Sequence, residues 1–173
     1  MLVVLSDTHG RESPRLEGRT EAAVEAAGVV VHAGDFMTET ALEAFAARCD
    51  LRGVYGNNDP PAVRDRLPAE RVVEWAGLRL FVVHGHEHTG AALAMAGRQS
   101  SADLVVYGHS HDPGVQDGAV PLCNPGSHAD PRWNRPGHAE LEWDETAGLA
   151  RGRLVEPSGE TFERFVVEPR PVE

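Results

Sequence analysis

Five short stretches concentrate side chains that bind metals or move protons: SDTH (6–9), AGD (33–35), GNND (56–59), HGH (84–86) and GHSH (108–111). Each directly follows an apolar run of strand character. In open α/β sheets, ligands bind beyond the carboxyl ends of strands, so five polar strand ends can converge on one crevice. Asp7 and His9 are two residues apart, as are His84 and His86, and His109 and His111. In extended backbone, residues i and i+2 point to the same side, so each pair is expected to aim two donors at one place. Carboxylate oxygens, imidazole nitrogens and an Asn carbonyl oxygen suit a divalent transition metal. No thiolate is among them, whereas structural zinc sites close with four ligands, often cysteines. The donors outnumber what one tetrahedral ion uses, which favours two ions sharing a carboxylate with room left for water.

Singly, each stretch has an ordinary reading. GNND is a good turn, because glycine permits positive φ and Asn and Asp bond to nearby backbone. AGD is a common loop, and Asp-x-His a common surface pair. The five together, each at a strand end, are hard to obtain by chance. Other residues keep plain readings. His32 is read as a packed, hydrogen-bonded core residue, and His88, His128 and His138 as facing solvent. Asn124 and Ser127, in NPGS (124–127), either shape a site wall or form a turn. Arg11 is read as solvated, and Trp75, Trp133 and Trp143 as packing residues.

The elements that must position these donors are legible in the first half, which alternates. Strands over 2–5, 29–32 and 51–55 are separated by helical patterns over 15–28 and 38–49, and PPAVRDRL (60–67) opens a third helix on its prolines. β-α-β-α-β is the signature of a largely parallel sheet. The second half predicts a hairpin from 71–75 and 78–84 around Ala-Gly, a helix over 91–99 and a buried strand over 103–107. Short strands then follow in VPLCN, AELEW, ARGRLV and TFERFVV, so antiparallel pairs should be commoner there. The closing EPRPVE (168–173) reads as a frayed tail.

With 173 residues and 41% hydrophobic content, one domain spanning 1–173 is expected. No apolar run reaches the ~20 residues of a transmembrane helix, and MLVVLSDTHG turns polar too soon for a signal peptide. A cytoplasmic protein without membrane attachment is therefore expected. Cys49 and Cys123 match no zinc or redox spacing and read as reduced and mostly buried. The net charge is −11, and all 16 basic residues are arginine. Such a surface repels phosphate backbones, so stable nucleic-acid binding is not expected. The lysine-free acidity suits a salt-adapted source, and GC-rich coding gives the same composition; melting temperature against KCl separates the two.

The five motifs, in this order, resemble those of the calcineurin-like metallophosphoesterases, most closely the small YfcE-type bacterial and archaeal phosphodiesterases, in which NPGS after a strand is also typical. The resemblance covers nearly the whole chain and implies an α/β fold, a four-layer αββα sandwich of two mixed sheets. It also implies a dinuclear centre. One ion would be held by Asp7, His9, Asp35 and His111, the other by Asp35, Asn57, His84 and His109, with Asp35 bridging. Manganese is the first expectation for both ions, with nickel, zinc, iron or cobalt also compatible. The implied activity is hydrolysis of small phosphate esters, diesters first, by attack of a metal-bridging hydroxide. Catalytic roles would fall to Asp35, Asn58, Asp59 and His86, with Asn58 and His86 also contacting substrate. Asn58 departs from the pattern, since many members carry His there, and an amide is no general acid at neutral pH. Asp59 is expected to fix its loop by a hydrogen bond to a ligand. His86 is a substitute proton donor or phosphate contact, or a loop histidine that only shapes the strand end. Small relatives often pair, so a homodimer is compatible. Two alternatives stand beside the enzyme: a non-catalytic interaction module of the same fold, as in the retromer subunit of this superfamily, and a nuclease.

Overall fold

Strand β1 (Leu2–Leu5) is apolar on both faces, so it must be covered on both. In the computed structural model, which describes residues 1–170, Leu2 and Val4 enter one core cluster while Val3 and Leu5 enter another. Parallel to β1 run β2 (Val29–His32) and then β3 (Leu51–Gly53). On its other side β9 (His138–Asp144) is antiparallel, followed by β10 (Leu149–Val155) and β11 (Thr161–Val167). A second sheet has the order β4 (Glu70–Trp75), β5 (Leu78–Val83), β6 (Leu104–Val106), β8 (Leu122–Asn124) and β7 (Gly114–Gln116). Both sheets are mixed.

Their facing sides share the largest core cluster, with Leu2, Val31 and Leu141 from the first sheet beside Leu80, Val82 and Val106 from the second. Helices α1 (Gly18–Ala26), α2 (Glu39–Ala46) and α3 (Pro61–Arg64) cover the outer face of the first sheet through Val24, Leu42, Phe45 and Val63. Helix α4 (Gly90–Gln99) covers the second through Leu93, against Phe81 and Val105. Burying side chains of this size contributes about 1.5–3 kcal/mol each. The result is the expected αββα sandwich.

Several local details differ from the sequence reading. Helix α1 begins at Gly18 rather than near residue 15, because Arg15 has φ 52° and Gly18 φ 53°, and a Cβ at Gly18 would lie 2.4 Å from the Pro157 carbonyl oxygen. Strand β3 stops at Gly53, since the Tyr55 N–H turns to the Pro68 carbonyl. Strand β7 was not anticipated; Gly-Val-Gln has no alternation to detect. Trp75 and Trp143 pack against the core, but Trp133 is 98% exposed and packs on nothing. Of the tail, residues 168–170 are exposed, yet the Arg170 N–H donates to Asp103 Oδ1 at 2.7 Å; residues 171–173 lie outside the described residues. Cys123 is buried and Cys49 half-buried, both free.

Two histidines expected in solvent are buried. His138 lies between Thr20 (3.1 Å) and Glu140 (3.0 Å), and Glu140 also accepts from Arg19 and Arg153. Burial opposes the charge on Glu140, but bonds from His138, Arg19 and Arg153 outweigh it and hold the carboxyl below its usual range. His128 Nε2 bonds only the Pro14 carbonyl, and burial lowers its pKa to about 4. The folded pKa lies below the unfolded value of ~6.5, so stability from this residue is complete above pH ~6.5 and falls as pH drops to about 4. The loss amounts to about 3 kcal/mol. Urea denaturation of the metal-free protein at pH 7 and pH 4.5 is expected to show this loss in the wild type and not in His128→Gln. Equal pH dependence of the two proteins would remove His128 from acid unfolding.

Candidate metal centre

Five strand ends meet at one edge of the sandwich. Asp7 and His9 follow β1, Asp35 follows β2, Asn57 follows β3, His84 follows β5, and His109 and His111 follow β6. The i, i+2 pairs do not converge by the extended geometry assumed from sequence. Asp7 (φ 52°), His9 (φ 48°), Asp35 (φ 64°), His109 (φ 68°) and His111 (φ 59°) all have positive φ. Such backbone costs of order 1–3 kcal/mol per non-glycine residue and persists where the surroundings impose it. Here they do. The Asp7 N–H bonds the Gly34 carbonyl at 3.0 Å, the His9 N–H bonds the Asp35 carbonyl at 3.1 Å, and the His109 N–H donates to Asp7 Oδ2 at 2.9 Å.

Asp7, Asp35, His84 and His111 are buried, while His9 is only partly exposed. Asp35 Oδ2 lies 3.2 Å from His9 Nε2 and 3.4 Å from His84 Nε2. Asp7 Oδ1 lies 3.4 Å from His111 Nε2 and 4.0 Å from His9 Nε2. Asn57 Oδ1 is 3.0 Å from His84 Nε2 and 3.1 Å from His109 Nδ1. Two donors each ~2.1 Å from one tetrahedral ion are roughly 3.4 Å apart, so most of these separations fit shared ions. Two carboxylate-histidine groups lie within mutual ligating distance: Asp7, His9 and His111, and Asp7, Asp35 and His84. The second group gives Asp7 a reach toward both halves, beyond the pairing that the resemblance implied.

The imidazole tautomers add a chemical test. His84 Nδ1 faces the Ala33 carbonyl at 2.7 Å, and His111 Nδ1 faces the Asp130 carbonyl. A carbonyl only accepts, so both Nδ1 atoms carry the hydrogen. In the neutral rings, each Nε2 lone pair then points at oxygens: Asp35 and Asn57 for His84, and Asp7 for His111. Lone pairs facing oxygens at these distances need a positive centre between them, a proton or a metal ion. Asp7 Oδ1, His9 Nε2 and His111 Nε2 are also buried without a hydrogen-bond partner among the described residues. The donor set fits divalent metal.

Proton sharing competes with a metal ion for the same contacts. Burial opposes the charge on Asp35, yet His84, His9 and Asn58 hold its carboxyl far below the usual range. Burial likewise opposes protonation of His84, but Asp35 and Asp7 raise its pKa. His86 and His109 are lowered, by burial first and then by His84.

The remaining predicted residues surround this cluster. Asn58 is tied to Asp35 twice, from its backbone N–H to Oδ1 (2.9 Å) and from its amide to Oδ2 (2.7 Å). Asp59 touches no donor side chain; it accepts from the backbone N–H groups of Asp35 (3.0 Å), Met37 (2.8 Å) and Gly56 (2.8 Å). His86 is exposed at the rim, its ring centre 5.5 Å from that of His84 and 6.2 Å from that of His109. Ser127 Oγ donates to the Asp7 carbonyl at 2.7 Å, and the Asn124 amide donates to the Gly108 carbonyl at 3.0 Å, so NPGS braces two of the loops. His32 is buried, and its Nε2 meets Thr8 Oγ1 at 2.8 Å beneath the first loop. Sequence reasoning missed Asp130, whose carbonyl orients His111 and whose Oδ2 lies 3.6 Å from His9 Nδ1. It follows no strand and belongs to no spacing pattern. Its nearness to NPGS was the only available signal.

A fold of two mixed sheets with clustered Asp, His and Asn donors at their strand ends is that of a metallophosphoesterase. The model of the calcineurin-like phosphoesterase superfamily domain matches residues 1–146, and the chain belongs to that superfamily. It is similar to Phosphodiesterase MJ0936 of Methanocaldococcus jannaschii, at 28% identity over 137 residues covering 71% of this chain and 81% of the relative. It is also similar to Probable metallophosphoesterase YsnB of Bacillus subtilis, at 30% identity over 165 residues covering 87% and 88%. Among solved structures, Vps29 of Entamoeba histolytica in complex with Zn2+ has a TM-score of 0.76 at 18% identity, covering 95% of this chain and 98% of that one; this likeness shows the fold. No helix of the described residues is long and apolar enough to cross a membrane.

Proposed function

We propose that the protein is a metal-dependent phosphodiesterase acting on small phosphate esters. The observation that carries this reading is the pair of histidine Nε2 lone pairs aimed at carboxylate and amide oxygens, with their Nδ1–H groups committed to backbone carbonyls. Asp7, His9, Asp35 and His111 would hold one ion, and Asp35, Asn57, His84 and His109 the other. Asp35 Oδ2 is almost equidistant from His9 and His84, which supports it as the shared ligand. The mixed nitrogen and oxygen donors suit manganese, nickel, zinc, iron or cobalt. When bound, two such ions supply a water of lowered pKa and compensate charge on the phosphoryl oxygens. Two aspartates against two divalent ions leave about two positive charges, which suits an anionic ester. Asp59 holds the Asp35 and Gly56 backbones in register, and Asn58 orients the Asp35 carboxylate. His86, exposed at the rim beside His84 and His109, would serve a leaving oxygen. MJ0936 is named a phosphodiesterase, which supports the diester preference.

A second reading is a metal-binding interaction module. It draws on Asn58, whose amide is engaged by Asp35 and which supplies no acid, and on the likeness to Vps29. Hydrolysis of bis-p-nitrophenyl phosphate and p-nitrophenyl phosphate separates the readings. Assays follow chelation and then restoration of each metal, at low and high KCl. Turnover that returns with metal, faster for the diester, is the expected result. Two bound ions without turnover would favour the module.

A further inference from the structure

The described residues line three notable cavities, and one of them adjoins the metal centre. Two of about 340 Å3, one around Asp103 and Arg170 and one along the Glu74–Arg79 hairpin, share no residue with it. A third, of about 160 Å3, is walled by His109 and Ser110 of the fifth motif together with Leu93, Tyr107, Gln116 and His88. Its lining is mixed. Leu93 and the Tyr107 ring offer apolar contact, while the Tyr107 hydroxyl accepts from Gln116 Nε2 at 3.1 Å. His88 Nδ1 is buried and has no hydrogen-bond partner among the described residues. A cavity of roughly 150 Å3 holds one benzene ring.

We propose that this cavity receives one ester group of the substrate, a single planar ring with a polar edge, and so selects aryl- or base-bearing phosphoesters over short alkyl ones. The proposal rests on the reading of the neighbouring donors as a phosphate-binding metal centre. A phosphoryl group held beside His109 would place one ester oxygen at the cavity mouth. The ring would then stack within the Leu93–Tyr107 wall, and its polar edge would meet Gln116 or His88.

Gly90 provides a clean way to close the cavity. It lines the wall as the first residue of α4, and a Cβ built there meets only Gln116 Oε1, at 3.7 Å. A larger side chain thus enters open space, and Gly90 has no positive φ that a side chain would strain. Titration calorimetry of the metal-loaded protein with phenylphosphonate and methylphosphonate, neither of them an ester, tests the site without turnover. The wild type should bind the phenyl compound at least about tenfold more tightly, as burial of one ring implies. Gly90→Phe should lose that preference while keeping its affinity for methylphosphonate and its melting temperature. Equal binding of the two compounds by the wild type, binding of neither, or an unchanged phenyl preference in Gly90→Phe would overturn the proposal. Nitrophenyl ester turnover is scored separately. Phenyl selectivity without turnover would remove the phosphodiesterase reading and leave the cavity, and turnover without selectivity would do the reverse.

Discussion

Asp35→Asn is expected to cost the protein at least one metal ion and nearly all turnover. Asp35 Oδ2 stands 3.2 Å from His9 Nε2 and 3.4 Å from His84 Nε2, between the two donor groups. Asparagine keeps the shape and removes the charge. Asn58 makes matters worse, because it donates to both Asp35 oxygens, from its backbone N–H and from its amide. Whichever way the new amide turns, its NH2 faces one of those donors, and an unmade buried hydrogen bond costs about 1–3 kcal/mol. Without the ions, hydrolysis falls back on water of pKa 15.7 rather than about 7, so a loss of ~10³-fold or more in kcat is expected. Metal content after dialysis and kcat for bis-p-nitrophenyl phosphate measure the two effects. The rise in melting temperature that metal gives the wild type should also shrink. A variant that keeps both ions and full turnover would refute the ligand assignment.

Gly108→Ala should be nearly as damaging, although Gly108 has no side chain and binds nothing itself. A Cβ there would lie 1.9 Å from Ser6 Oγ and 2.6 Å from Asp7 Oδ2. Those atoms are not free to retreat. Ser6 Oγ donates to Asp7 Oδ2 at 2.6 Å, and the His109 N–H donates to the same oxygen at 2.9 Å. The Gly108 N–H is tied to the His84 carbonyl at 3.0 Å, so the loop cannot easily back away. Overpacking of this kind costs about 1–3 kcal/mol. Displacing Asp7 from its partners should weaken metal binding by ~10–100-fold, the range seen when a ligand loses its supporting hydrogen bonds. Thermal melting and metal titration test both effects. The double variant Ser6→Gly/Gly108→Ala should recover part of the stability and none of the metal affinity, because it relieves the contacts with Ser6 while the contact with Asp7 remains. Unchanged metal affinity in the single variant would show that the loop adapts and that Asp7 is not held by this packing.

The two predictions differ in what made them visible. Asp35 stands out in the sequence as a carboxylate after a buried strand, one of several such strand ends. Gly108 reads there as an ordinary turn glycine. Its importance arises only when β1 and β6, from different sheets, bring Ser6 and Asp7 against it. Asp130 is similar: no local pattern marks it, yet it orients His111 from a loop 19 residues away. His128 and His138 belong to no spacing pattern, so solvent is their plain sequence reading. Tertiary packing buried them against Pro14 and Thr20.

By itself the sequence showed the β-α-β order, a second half rich in antiparallel pairs and five strand ends bearing candidate donors, while the four-layer arrangement and the ligand set came from the resemblance. Strand periodicity and turn chemistry are local, and a β-α-β order leaves few ways to arrange a sheet. Whether the paired donors converge was decided elsewhere. Period-2 reasoning assumes extended backbone, but Asp7, His9, His109 and His111 have positive φ, imposed by hydrogen bonds such as that from the His109 N–H to Asp7, 102 residues apart. Only the tertiary structure could also assign the tautomers of His84 and His111, since these depend on the carbonyls of Ala33 and Asp130, which the fold brings to each ring. A residue's type is written in the chain, but the direction of its lone pair is set by partners distant in sequence.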